Sequence, residues 1–228
     1  MGKRGPKPKG KVKLKWSPNF AYAIGLLVSD GCLSSSGRHI ILTSADRDQL
    51  ANYMKALDIK MHIGKVENNG KGAMRVQFGD ILFYQFLVGI GLMPNKSKII
   101  GEIKIPDEYF FDFLRGSFDG DGCTYSYWDK RWRSSFMFYT CFVSASRAHV
   151  DWLQKMIGRR LGIYGHMTHG GARGILHQLK YAKADSLKLL RKMYSRKDAI
   201  YLRRKRFYNR TKFKALEYEI LLPVNPEG

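Results

Sequence analysis

The stretch Ala23-Ile24-Gly25-Leu26-Leu27-Val28-Ser29-Asp30-Gly31 returns, altered, as Leu114-Arg115-Gly116-Ser117-Phe118-Asp119-Gly120-Asp121-Gly122. Each copy is a largely apolar run that ends in Asp-Gly. Gly25 and Ser29 are four residues apart, as are Gly116 and Gly120, so each small pair lies on one face of a helix. Two such faces can pack backbone against backbone, which sets the helix ends, and with them Asp30 and Asp121, side by side. Ser17-Pro18 offers an N-cap followed by proline at the first helical position. Pro106-Asp107-Glu108 opens the second run with a rigid residue and acidic side chains. Gly31 and Gly122 are expected to stop the two helices as C-terminal caps.

The likeness between the halves continues beyond these runs, as an internal duplication requires. Both read Asp-Gly-Cys, at 30–32 and 121–123. Ser44-Ala45-Asp46-Arg47 stands opposite Ser144-Ala145-Ser146-Arg147, and each opens an amphipathic helix in which Leu50 and Tyr53 correspond to Val150 and Leu153. Arg75-Val76-Gln77-Phe78 aligns with Gln178-Leu179-Lys180-Tyr181, both alternating as a strand with one buried face does. In the first half the spacing predicts a hairpin over 32–43, a helix over 44–57, strands over 62–67 and 73–78 joined at Asn68-Asn69-Gly70, and a helix over 80–90. The second half repeats the order. It has a hairpin over 123–143 turning near Asp129-Lys130, a helix over 147–161, a hairpin around His169-Gly170-Gly171, and helices over 185–194 and 198–209. The expected fold is therefore α+β, with two pseudo-symmetric αββαββα subdomains at 16–104 and 105–222, a flexible basic arm at 1–15 and a tail at 223–228.

Forty Lys and Arg against nineteen Asp and Glu give the 228-residue chain a formal charge of +21. So large an excess repels itself unless a polyanion offsets it, and nucleic acid is the default partner. The N-terminus carries no apolar signal core, and no apolar run approaches the length of a bilayer span, so an intracellular protein without membrane attachment is expected. Cys32, Cys123 and Cys141 fit neither a zinc spacing nor a disulfide framework and are read as small packing residues. Arg4-Gly5-Pro6 resembles the core of an AT-hook without its second arginine, and a plain phosphate-binding tail is the better reading of the arm. His166 and His169 have a metal-site spacing, but no Cys or carboxylate accompanies them.

The doubled motif, its flanks and the element order resemble the LAGLIDADG homing endonucleases, over nearly the whole chain from about Trp16 to about Leu222. That resemblance implies two antiparallel sheets forming a DNA-binding saddle, joined through the motif helices. It also implies a monomer that cuts both strands of a long asymmetric duplex with Mg²⁺ or Mn²⁺. Two carboxylates and a few carbonyl oxygens form a donor set suited to such hard cations. Asp30 and Asp121 are the expected ligands, and Ser29 and Gly120 contribute carbonyls, as the equivalent positions do in the family. The alternative for each acid is a local Asp-Gly turn cap. Asp119 has Val28 as its counterpart and is read as a helix-end or solvent-facing residue.

The family also places a basic residue near each scissile phosphate. The matching stretches, Asn95-Lys96-Ser97-Lys98 and Leu202-Arg203-Arg204-Lys205, point to Lys96 and Lys205, with Lys98 as substitute. Strand alternation selects base readers for the major groove: Arg75, Gln77, Gln178 and Lys180 from the inner strands, then Arg38, Lys65, Arg131, Arg133 and Ser135 from the other hairpins. The bland alternative is a solvated polar sheet face. The arginine- and lysine-rich stretch over 201–214 is read as a flanking phosphate contact. Two other roles fit the same saddle: an intron maturase that binds intron RNA, and a non-cleaving DNA-binding regulator.

Overall fold

The computed structural model describes residues 10–66, 72–131, 136–171 and 175–205. Each half follows the same course. The first contains α1 (Pro18–Ser29), β1 (Gly31–Leu33), β2 (His39–Ser44), α2 (Arg47–Leu57), β3 (Ile63–Lys65), β4 (Met74–Gly79) and α3 (Ile81–Gly89). The second contains α4 (Phe110–Asp121), β5 (Cys123–Trp128), β6 (Phe136–Ser144), α5 (Arg147–Leu161), β7 (His166–Gly170), β8 (Leu176–Tyr181) and α6 (Lys183–Met193). The strands form two antiparallel four-stranded sheets, ordered β1-β2-β4-β3 and β5-β6-β8-β7. Among the described residues no helix is long and apolar enough to cross a membrane.

The duplication is exact at the level of register. Leu42 faces Val76 and Ile40 faces Phe78 in the first sheet, while Phe142 faces Leu179 and Thr140 faces Tyr181 in the second. These eight residues are all buried and point to the helical side, where they meet α2 and α5 through Leu50, Tyr53, Val150 and Leu153. The opposite face of each sheet is open to solvent except at Cys141, which is buried.

Helix α1 starts where Ser17 Oγ accepts from Phe20 N at 3.1 Å, with Pro18 at its first turn. Phe20 through Val28 are all buried, because one side packs on α2 and the sheet while another meets α4. That second contact is nearly backbone to backbone. A Cβ on Gly25 would lie 2.1 Å from Phe113 O, and one on Gly116 would lie 2.0 Å from Tyr22 O. One turn on, a Cβ on Gly120 would sit 1.9 Å from Ser29 Oγ. The pairing therefore excludes any side chain larger than hydrogen at three positions.

The halves also brace each other through the segments after α3 and α6. Residues 95–101 lie against α5, where Ser146 Oγ donates to Ile100 O at 2.5 Å and His149 Nδ1 is 2.8 Å from Gly101 O. Residues 200–204 lie against α2, where Asn52 Nδ2 donates to Tyr201 O at 2.9 Å and Arg204 pairs with Asp46 at 2.8 Å.

Three details depart from expectation. The helix expected over 198–209 does not begin until 203, because the preceding backbone is engaged elsewhere: Ile200 O accepts from Arg115 Nε at 2.9 Å and Leu202 N donates to Asp119 at 2.6 Å. Residues 206–209 lie outside the described residues, as do Asn68-Asn69-Gly70 and the 223–228 tail. Gly31 and Gly122 are not left-handed caps, since neither has a positive φ. They are required because the chain doubles back on its own helix, and a Cβ would approach Leu27 O to 2.5 Å and Phe118 O to 2.7 Å. Finally, the inner end of the basic arm is pinned. Lys11 N and Val12 N donate to Asp80 Oδ2 at 2.6 and 3.0 Å, Val12 is buried, and the other oxygen of Asp80 caps α3 through Phe83 N.

Candidate catalytic centre and nucleic-acid interface

Close packing of α1 and α4 brings their last residues to one place. A Cβ on Gly120 of α4 would lie 2.8 Å from Asp30 Oδ2, so the carboxylate at the end of α1 touches the other helix. Asp30 is half-buried, and Asp121 is exposed at the surface. Partial loss of hydration beside these neighbours raises the pKa of both, although the Asp121 side chain still reaches solvent, and the charge of Asp30 raises that of Asp121 further. Two clefts flank the helix ends. One is lined by Ser29, Lys96, Asp121 and His149, the other by Asp30, Gln49, Gly120 and Arg204.

Lys96 and Lys205 occupy equivalent places. Lys96 Nζ donates to Ser29 O at 3.2 Å and Lys205 Nζ donates to Gly120 O at 3.4 Å, each the carbonyl just before a motif aspartate. Lys205 Nζ also donates to Gly122 O. Burial lowers the pKa of both amines, partly offset by the nearby acids. The electrostatics are crosswise. Asp30 is stabilised more by Lys205 of the other half than by Lys96, while Asp121 is stabilised more by Lys96. Lys98 is exposed, away from the carbonyls that engage Lys96.

Among the described residues no group of three His, Cys, Asp or Glu side chains forms a metal site. The hard oxygen donors at the helix ends divide between the two clefts, Ser29 and Asp121 lining one, Asp30 and Gly120 the other. The Ser29 and Gly120 carbonyls also accept from the Lys96 and Lys205 amines. Hard oxygen donors fit a divalent ion of the magnesium type and not a soft metal.

Sequence reasoning missed two polar residues around this centre. Gln49 is buried, donates from Nε2 to Asp30 Oδ2 at 2.6 Å and accepts from Ser44 Oγ at 2.7 Å, which fixes the orientation of the carboxylate. Its counterpart His149 bonds to Gly101 O instead, and Asp121 has no hydrogen-bond donor among the described residues. Asp119 corrects the solvent-facing expectation outright. It is fully buried and accepts from Tyr22 Oη at 2.8 Å, Tyr194 Oη at 2.9 Å and Leu202 N at 2.6 Å. Burial pushes its pKa up to about 6 against the pull of these donors. Asp119 thereby ties α1, α4, the end of α6 and the segment carrying Lys205 together. Asp119→Ala would leave three buried donors unmatched, and urea unfolding should show a loss of about 3 kcal/mol or more, at no less than about 1 kcal/mol for each stranded group.

The solvent face of the first sheet carries Arg75 and Gln77, opposite Thr43 and Ile41, and both are exposed. In the second sheet Gln178 and Lys180 occupy the same positions opposite Val143 and Cys141. Lys65 must be reassigned. It pairs with Met74, and Met74 shares the helical face with Val76, so register turns Lys65 away from Arg75 and Gln77. Arg38 is exposed just before β2 at the hairpin end, and exposed Arg131 pairs with Asp129. Arg133 and Ser135 lie outside the described residues. Cys32 and Cys123 are exposed, contrary to the packing role expected, while Cys141, directly opposite Cys123 on the same sheet face, is buried.

No protein-family model matches the chain, and no curated protein sequence does. Solved structures do. The LAGLIDADG homing endonuclease I-GzeII in complex with its DNA target is 11% identical, with 88% of this chain and 90% of that one covered at a TM-score of 0.56. I-DmoI in complex with DNA and Mn is 13% identical, covering 78% and 97% at 0.51. The fold is that of the LAGLIDADG proteins. The N-terminal LAGLIDADG domain of DUF199/WhiA is equally similar, at 15% identity, 78% and 82% coverage and a TM-score of 0.51. A LAGLIDADG fold alone therefore does not settle whether the chain cuts.

Proposed function

We propose that this chain is a divalent-metal-dependent, site-specific DNA endonuclease that acts as a monomer and cuts both strands of one long asymmetric duplex. The observation that carries this reading is the crosswise set of Asp30, Asp121, Lys96 and Lys205 at the meeting point of α1 and α4, between two exposed sheet faces of a chain with charge +21. Asp30, Asp121, Ser29 and Gly120 would hold Mg²⁺ or Mn²⁺, which supplies charge stabilisation at the phosphate and lowers the pKa of water. Lys96 and Lys205 present a compact cation to each scissile phosphate. Because burial lowers their pKa, each Nζ is also a readier proton donor to a departing oxygen than a surface lysine. Gln49 keeps one Asp30 oxygen committed and the other available.

A binding-only role, which the likeness to the WhiA domain would suit, gives no reason to crowd two carboxylates where burial and mutual repulsion make their charge costly. Cleavage gives that reason. The test is to incubate the full chain and Mg²⁺ with a randomised duplex pool and sequence the cut ends. One asymmetric sequence cut in both strands, and left intact with chelator, is expected. Selective binding without cutting in either Mg²⁺ or Mn²⁺ would falsify the nuclease reading.

The two clefts each serve one strand in this proposal. Lys96→Met should therefore slow one strand selectively, by about 10- to 100-fold for the loss of one stabilising cation, and a supercoiled plasmid carrying the site should accumulate as the nicked circle. Equal slowing of both strands would contradict the division.

A further inference from the structure

We infer that the two halves of the target are read by different chemistry, and that the half-site under β5–β8 is recognised through a tyrosine ladder that selects thymine. The inference rests on the duplex-binding reading above. It starts from the register of the second sheet, which places Tyr125, Tyr127 and Tyr139 on the solvent face: Tyr125 faces Tyr139 and Tyr127 faces Met137. Tyr139 stacks on both neighbours, with centroids 5.2 Å from Tyr125 and 6.3 Å from Tyr127 and ring planes within 18°. Lys180 Nζ lies 5.8 Å from the Tyr125 ring, next in the row. The positions equivalent to Tyr125 and Tyr139 in the first sheet lie at Ser34 and His39, and its exposed readers are Arg75 and Gln77.

The geometry decides which nucleic acid such a row suits. The rings cover one another's faces, so what points into the groove is ring edge and hydroxyl, and few faces are left for unpaired bases to stack on. Single-strand recognition relies on open aromatic faces. Edges and hydroxyls suit the floor of a duplex major groove, where thymine alone presents a methyl group. Met137 and Val143 extend the apolar strip along β6, and Gln178 and Lys180 leave polar contacts at its margin. The first wall, with a guanidinium and a carboxamide exposed, suits guanine and adenine edges instead. The asymmetry of the two walls thus specifies an asymmetric target.

The test uses the full chain and a duplex enriched from a random pool by binding in Ca²⁺. Arg75→Ala relaxes the selection in one half and so identifies the half read by the first sheet. In the other half, thymines should be enriched. Replacing each by deoxyuridine, which removes only the methyl, should weaken binding about fourfold per contacted base, the equivalent of burying one methyl group. Tyr127→Ser, whose ring is the most exposed of the three at 48%, should lose that difference between thymine and uracil while leaving selection in the Arg75 half intact. If a sequence is enriched but the second half holds no thymine preference, or deoxyuridine binds equally well, the inference is overturned and the nuclease reading stands. If single strands compete better than duplex, or nothing is enriched, both fall together.

Discussion

Replacing Asp30 or Asp121 by Asn should lower double-strand cutting about 10³-fold or more, equivalent to about 4 kcal/mol of lost transition-state stabilisation, while salt-sensitive binding to the same duplex persists. The substitution keeps the shape of the side chain. In Asp30→Asn the amide oxygen can still accept from Gln49 Nε2, so the helix ends need not move. What disappears is one negative charge in a donor set with only two. Stability should move in the opposite direction from activity. Burial raises the pKa of both acids, and Asp30 raises that of Asp121, so a neutral amide at either position removes a charge the folded chain holds at a cost. The measurement is plasmid linearisation in Mg²⁺ beside a mobility-shift titration at two salt concentrations and a urea melt. Cutting within tenfold of the unmodified chain would sink the assignment of the centre.

The largest effect on stability should come from a single methyl group. Gly116→Ala gains about 1 kcal/mol of helix propensity, yet its Cβ would lie 2.0 Å from Tyr22 O, and that of Gly25→Ala would lie 2.1 Å from Phe113 O. Both obstacles are backbone, which no rotamer change can clear. The helices must separate along an interface where Ile24, Leu26, Leu27, Phe113 and Leu114 are buried, so a loss of about 4 kcal/mol or more is expected, a large part of a typical domain's stability. Gly89→Ala is the control, since a Cβ there meets nothing within 4 Å. Urea unfolding of the three variants decides the matter; a Gly116→Ala midpoint near that of the control would overturn the packing argument.

Much of this architecture was legible before any coordinates. The repeated runs, the small pairs Gly25/Ser29 and Gly116/Gly120, and the period-two strands at 75–78 and 178–181 are local patterns, and local patterns report secondary structure and its buried face. Lys96 and Lys205 were singled out by the family resemblance, and the fold sets their amines on the carbonyls of Ser29 and Gly120. What stayed hidden depends on partners remote in sequence. Asp119 looked dispensable because its counterpart is Val28, but its donors come from residues 22, 194 and 202. Gln49 looked like one polar position of an amphipathic helix until the fold set it against Asp30. Lys65 was misassigned because a short edge strand gives alternation too little length to fix its register.

The reciprocal bracing of the halves carries a consequence for how such a chain could arise. The tail after α3 grips α5 and the tail after α6 grips α2, which is the pattern of a two-fold homodimer in which each subunit clasps its twin. Joining the end of one subunit to the start of the next preserves every one of those embraces. Once joined, the copies are free to accumulate separate mutations, and the two sheet faces need no longer be alike.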